Sequence, residues 1–529
     1  MKKIVLSLFI AASFLVSCSD AYEVSQPGYV TDESQVYNSP EDITRGVKAV
    51  YYYFPGEEEV QFTSFFTDEL GIGINNGGQG INDGTYTFRL LVGDEKADDI
   101  WGGYYAVLNR VNRMLFRIDD LYPTASQADK DMYDMERAHL YILRAYSHFK
   151  LFAFFTPDYT NPNGLSVIKF DFLQTDNYSR YEKRSTVEEI VAFIEEDLGR
   201  AKDLGGYTGN GTGFASDALS NAILVKMYAM LQTQDAYDKM EIAFNDLVTE
   251  NGKGLANFDE YAGLFGGGAE GAETIFKLNR VSSDGTVTDG VANEWYASEV
   301  SRAGNPYMEI GRSLYNELDK LDPNTTGTVY DDSHLRKDPR YTLAILKDDS
   351  NVALNYASLT TEEFRANDIL LIGKYTGIGD RPLMNDVISL RFTDMLLCLA
   401  EKRAFEGALT GTVALGDYSN VESIIFNIRS NRNEDGQVPL SMPTNFSSPQ
   451  QAYARILEER RVEFAFEGQR YLDMKRLGER AGSPGFVRDP QDCAATGACS
   501  LEPSSTKLTL PIPRAEIMAN PNMVQNPGY

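Results

Sequence analysis

The stretch ILEERRVEFAFEGQRYLDMKRLG, Ile456 to Gly478, carries five acids (Glu458, Glu459, Glu463, Glu467, Asp473) and five bases (Arg460, Arg461, Arg470, Lys475, Arg476), interleaved with Phe464, Phe466, Tyr471 and Leu472. Its apolar residues recur at helical spacing, so a helix is expected over Gln450 to Leu477. Glu459, Glu463 and Glu467 then fall at i, i+4 on one face, and glycoside hydrolysis needs just such a pair of carboxylates. Arginines at i+3 from acids, as in Arg460/Glu463 and Glu467/Arg470, would hold these groups ionised and remove the raised-pKa acid that the reaction requires. The segment therefore reads as a structural ion-pair network.

Outward from this stretch, period 3.6 dominates. From Glu136 to Phe155, Ala138, Tyr141/Ile142, Ala145, Phe149 and Phe152 make an amphipathic stripe with small residues where another helix can approach. Thr186 to Leu204 shows a capping box at Ser185 and Glu188 and a stripe of Ile190/Val191, Ile194, Leu198 and Ala201. Ala218, Ala222, Val225 and Ala229 form another stripe, as do Leu396, Leu397, Ala400 and Ala404. Further helices are expected at Pro40 to Tyr53, Asp99 to Asp119, Asp235 to Glu250 and Asn420 to Arg432. Strand signals are short, at Thr274 to Leu278 and Ile369 to Ile372. Between the helices lie Gly/Asn/Thr-rich stretches: Gly71 to Thr87, Tyr207 to Gly213, Gly263 to Thr288 and Asp322 to Asp332. The fold class is mostly α, made of helix pairs with long irregular loops and a few short strands.

The 529 residues hold 49 Lys+Arg against 77 Asp+Glu, a net charge of −28. That excess repels phosphate backbones and anionic membrane faces, so no nucleic-acid partner is expected. At the N-terminus, Lys2 and Lys3 precede an apolar run from Ile4 to Val16, shorter than the roughly 20 residues needed to span a bilayer. The run ends in Leu15-Val16-Ser17-Cys18, which resembles the lipobox of bacterial lipoproteins. That resemblance implies cleavage before Cys18, a signal peptide over residues 1–17, acyl chains on Cys18 and a lipidated flexible tether over 18–36, ahead of one domain over 37–529. Cys398 reads as a small buried hydrophobe. Cys493 and Cys499, with five residues between them in a Pro/Gly-rich loop, can close a disulfide in an oxidising compartment or stay reduced.

Other catalytic templates are absent or out of context: the sequence has no HExxH, GxSxG or GxxxxGK[ST], and its GxGxxG match, Gly266 to Gly271, lacks the strand and helix context of a phosphate cradle. No cofactor is expected. With only His139, His148 and His334, a zinc site lacks ligands, and Asp331, Asp332 and Asp338 lack EF-hand spacing, so no metal is expected either. Tyr51-Tyr52-Tyr53 reads as a core helix face.

The Ile456–Gly478 stretch resembles the ERRxE…FEGxRxxDxxR signature of SusD/RagB-type outer-membrane lipoproteins, and LPIPRAEIMANPNMVQNPGY, Leu510 to Tyr529, resembles their C-terminus. Trp101-x3-Tyr105-x3-Asn109, ERAHLYILRAYSHFKLF at Glu136, ISLRFTDMLLCLAEKRA at Ile388 and FNIRSNR at Phe426 match in the family's order. The resemblance implies a tetratricopeptide-like superhelix of helix pairs and a non-catalytic role. Such proteins capture oligosaccharides, or peptides in some branches, at the cell surface. They pair with a SusC-like TonB-dependent outer-membrane transporter, so the implied location is the outer membrane, lipid-anchored and facing outward. A surface glycoside hydrolase and a pure scaffold are the competing classes.

Sugar recognition needs aromatic rings for apolar ring faces and planar polar groups for hydroxyls, on loops held by a rigid scaffold. Gly71 to Arg89 offers Asn75, Asn76, Gln79, Asn82, Asp83, Tyr86 and Arg89. Asn293 to Tyr307 offers Glu294, Trp295, Tyr296, Arg302 and Asn305. The candidate ligand-binding residues are Asn75, Asn76, Asp83, Tyr86, Trp295, Tyr296 and Arg302, with Trp295 expected as a presented ring. Arg89, Arg280 and Arg302 leave an acidic sugar open.

Overall fold

Helix starts are set by short polar side chains that accept from amides left free in the first turn. In α1 (Pro40–Val50), Ser39 accepts from the Asp42 amide, with Pro40 in the first turn where its missing N–H is harmless. A 3-10 turn (Tyr51–Tyr53) leads to α2 (Gly56–Phe66) and the two-residue strand β1 (Leu70–Gly71). Asp94 caps α3 (Glu95–Leu121), Ser126 caps α4 (Gln127–Phe155), Ser216 caps α6 (Asp217–Leu231) and Thr233 caps α7 (Gln234–Thr249). The capping box of α5 (Val187–Asp203) sits one residue later than expected: Thr186 accepts from Glu189, whose carboxylate accepts from the Thr186 amide at 2.8 Å. Thr186 has the extended backbone of an N-cap, φ −76° and ψ 165°, and its side chain accepts from the Glu189 amide in the open first turn.

The computed structural model describes residues 36–72, 83–173, 181–207, 211–280, 290–291, 295, 308–319, 338–344, 372–378, 381–382, 385–433 and 446–529. Beyond α7 come α8 (Phe258–Gly266), β2 (Thr274–Leu278), β3 (Glu309–Ile310), α9 (Arg312–Asp319), α10 (Pro339–Ala344), β4 (Gly377–Ile378), β5 (Arg381–Pro382) and β6 (Val387–Arg391). Then follow α11 (Phe392–Phe405), α12 (Val421–Asn431), α13 (Pro449–Glu463), α14 (Arg470–Leu477), β7 (Phe486–Val487), α15 (Pro490–Cys493), β8 (Ser500–Leu501) and α16 (Arg514–Ala519).

Neighbouring helices pack pairwise, α3 on α4, α4 on α5, α6 on α7 and α11 on α12 and α13. Only Gln232 and Thr233 join α6 to α7, so the pair must run antiparallel. The expected stripe Ala218, Ala222, Val225, Ala229 is fully or nearly buried in α6, as are Leu396, Leu397, Ala400 and Ala404 in α11. The sheets are four antiparallel ribbons of two strands each among the described residues. Strand β2 has the bounds expected from sequence and pairs with β6, Thr274 opposite Arg391. Of Ile369 to Ile372 only Ile372 lies within the described residues. The expected helix Gln450 to Leu477 is two: Phe466 at φ 63° and Gly468 at φ 77° turn the chain between α13 and α14. Tyr51 is in the core, whereas Tyr52 and Tyr53 are exposed, which corrects the reading of that triplet.

Candidate ligand-binding site

Strands β1 and β3 pair antiparallel, Leu70 opposite Ile310 and Gly71 opposite Glu309. The chain leaves this ribbon at Ile72 and returns to it at Met308, so the loops after 72 and before 308 spring from adjacent points. The two stretches singled out in the sequence, more than 200 positions apart, thus share one root. Met308 donates to the Trp295 carbonyl at 3.3 Å, which ties the second stretch down. Asn75, Asn76, Tyr296 and Arg302 lie outside the described residues.

The other three candidates lie within the described residues. Trp295, expected to be presented, is 0 % exposed. Its indole packs on Phe466 at 5.6 Å and Tyr375 at 6.2 Å, because an aromatic of that size beside a core turn gains more from burial than from display. Tyr86 is also 0 % exposed; its hydroxyl donates to the Asp492 carbonyl at 2.8 Å and Arg488 stacks on its ring, while burial pushes its phenol up to about 12. Asp83 accepts from the Thr85 amide at 2.7 Å and the Tyr86 amide at 3.2 Å, a local turn that aims Tyr86 inward.

Asp492 is the residue this reading missed. It accepts from the Arg312 amide at 2.7 Å and from the Arg312 guanidinium, holding the start of α9. Burial pushes its carboxyl up to about 6 against the opposing pull of Arg312. A Cβ at Gly71 would lie 2.6 Å from Asp492 Oδ1, so strand β1 approaches this carboxylate as only glycine permits. Cys493 and Cys499 are disulfide-bonded beside it, and Cys398 is buried and free. No local pattern announces Asp492, since its partner is 180 positions away.

Beneath the ribbon lies the acid–base segment. Asp68 pairs with Arg470 at 2.9 Å and Arg461 at 3.1 Å; burial alone would raise it, but these cations hold it at about 2. Glu463 contacts Arg391 at 2.7 Å, Arg432 at 2.8 Å and Arg340 at 3.4 Å. Burial opposes its charge, yet the three guanidiniums outweigh that and hold it well below the carboxylate range. Glu459 pairs with Arg340 at 2.7 Å and Arg429 at 2.8 Å. Glu467 lies in the turn after α13 rather than on its face, and still reaches Lys374 at 2.7 Å and Arg391 at 2.9 Å. Arg460 joins Asp394 and, at 2.7 Å, Asp473. Glu69 differs: it accepts from the Phe466 amide at 3.0 Å, and burial pushes it up to about 7. It is 0 % exposed.

A cavity lined by Glu59, Lys150, Lys226, Ser389 and Gln469 has about 20 Å³, room for one water and far too little for a sugar. Among the described residues no group of His, Cys, Asp or Glu could hold a metal ion. Asp338 pairs with Arg340 at 2.6 Å, while Asp331 and Asp332 lie outside the described residues. Nor is any described helix long and apolar enough to cross a membrane.

Paired helices around a buried charge network, with short two-strand ribbons between them, define a mostly α-helical scaffold. Residues 273–529 match the SusD family and residues 33–205 match the SusD-like family described as starch-binding and associating with the outer membrane. The chain belongs to the SusD/RagB family. It is 22 % identical to a SusD-like protein of Formosa agariphila over the whole of both chains, and 22 % identical to a second from the same organism over 89 % of this chain and 90 % of that one. Its fold is shared with a SusD superfamily protein of Bacteroides thetaiotaomicron (TM-score 0.69, 22 % identity, 93 % of this chain and 100 % of that one). A putative sugar binding protein of Bacteroides vulgatus is similar to it at TM-score 0.67 and 19 % identity, over 93 % of this chain and 99 % of that one.

Proposed function

We propose that this chain is a non-catalytic surface lipoprotein that captures oligosaccharides and delivers them to a SusC-like TonB-dependent outer-membrane transporter. The observation that carries the proposal is the match of residues 33–205 to a SusD-like family described as starch-binding and associating with the outer membrane, alongside the match of residues 273–529 to the SusD family. The LVSC sequence at Cys18 supports a lipid anchor and an outward-facing position. The carboxylates that could mimic a glycosidase pair are buried and paired with arginines, which supports capture without cleavage. In this proposal Asn75, Asn76, Tyr296 and Arg302 meet the ligand, while Asp83, Tyr86 and Trp295 hold the loop roots in place.

A nutrient binder of this kind works with a dissociation constant between about 1 μM and 1 mM, roughly 4 to 8 kcal/mol. Native gels cast with starch, xylan, laminarin or alginate test it. Retardation by at least one, with no reducing ends released, is the expected result; release of product would make the protein a hydrolase, and binding only to peptides would move it to the family's peptide branch.

A further inference from the structure

Tyr52 and Tyr53 are 71 % and 40 % exposed, side by side on the turn between α1 and α2. Their rings meet edge to face, with centroids 5.6 Å apart. The turn itself is fixed from below. Tyr51 is buried and accepts from the Ala215 amide at 2.7 Å, and Arg280 donates to the carbonyls of Tyr51 at 3.0 Å and Phe54 at 2.6 Å. Two large rings are therefore displayed side by side on a turn held from below.

Arg110 of α3 lies flat on Tyr53, its guanidinium carbon 3.5 Å from the ring centroid. It donates to the Ala106 carbonyl at 3.0 Å and meets no carboxylate within ion-pair distance among the described residues, in a chain with 77 acids. Asp99, Gly102, Ala106 and Arg110 follow at helical spacing along one face of α3. A Cβ at Gly102 would meet only open space, and Gly103 abuts Pro55, so the floor beside the rings is low.

The structure assigns to Tyr52, Tyr53 and Arg110 a second carbohydrate contact, for one pyranose unit of a glycan chain whose other units lie elsewhere on the protein. This rests on the glycan-binding reading above. A pyranose offers both an apolar C–H face for a ring and hydroxyls that accept from a guanidinium. A purely apolar occupant would desolvate Arg110 without pairing it, and a phosphate backbone is repelled by the net charge of −28.

The test uses the full chain in native gels with starch, xylan, laminarin and alginate. Tyr52→Ala/Tyr53→Ala is expected to raise the apparent dissociation constant for whichever polysaccharide retards the wild type by about three- to tenfold, at unchanged melting temperature, because the rings are exposed. Arg110→Gln is expected to act in the same direction. Retardation of the double variant equal to wild type overturns this contact and leaves the glycan-binding reading standing. Failure of all four polysaccharides to retard the wild type removes both. Loss of copurification with a membrane barrel at unchanged glycan affinity would make the rings a protein contact and likewise overturn the assignment.

Discussion

Glu463 stays ionised at 0 % exposure only because Arg391, Arg432 and Arg340 surround it. Glu463→Ala strands those cations and is expected to cost on the order of 3 kcal/mol, read as a lower urea midpoint; an unchanged midpoint would show that the network is not what holds this region. Glu69 carries the opposite sign. Its carboxyl titrates at about 7 in the folded chain against an ordinary 4.5, so between those values the folded state binds more protons than the unfolded one. Its contribution to stability therefore falls as pH rises through that window, by on the order of 3 kcal/mol. Glu69→Gln keeps an acceptor for the Phe466 amide, so the variant should melt above wild type at pH 8 and lose that advantage toward pH 5. A difference that does not change with pH refutes the assignment. Trp295 shows why such residues were hard to read: nothing in Glu294-Trp295-Tyr296 signals that Phe466, 171 positions on, will close over the indole. Trp295→Ala is accordingly expected to lower the melting temperature, at a cost of about 3 to 5 kcal/mol.

At the scale of elements, helix existence and the α6 and α11 stripes were legible because burial there follows a local period. The caps were nearly so, with Thr186 displacing Ser185. What local pattern could not supply was the interruption between α13 and α14, because both sides of it keep helical spacing. Gly468 was the available signal, since glycine inside a helix costs about 1 kcal/mol and rarely persists without a reason. The reason is its φ of 77° and a Cβ position 3.3 Å from Val60. The two descriptions give opposite signs for Gly468→Ala. A continuous helix would gain about 1 kcal/mol from alanine, whereas this turn is expected to lose about 1 to 2 kcal/mol in chemical denaturation. The loop zones were legible by composition alone, and their common root on β1 and β3 was not, because a two-residue ribbon leaves almost no trace in sequence. If these loops meet the ligand, Tyr296→Ala with Arg302→Ala weakens glycan retardation at an unchanged melting temperature; full retardation would exclude them.

The whole molecule poses a question of attachment. A chain with net charge −28 is repelled by anionic lipid faces, and no described helix can cross a bilayer, yet its family is described as associating with the outer membrane. Either a segment ahead of the helical scaffold or a protein contact on its surface has to supply the affinity. The apolar run Ile4 to Val16 followed by Cys18 fits a lipid anchor, since each buried CH₂ contributes about 0.8 kcal/mol and two or more acyl chains suffice for stable residence where one is marginal. All of that free energy would then depend on one residue, Cys18. Cys18→Ala is therefore expected to move the protein from the membrane to the soluble fraction, and to abolish labelling by a tagged fatty acid, while its melting temperature stays that of wild type. Continued membrane association of the unlabelled variant would mean that the folded surface itself grips a membrane partner, and would shift the anchor from the lipid to a protein contact.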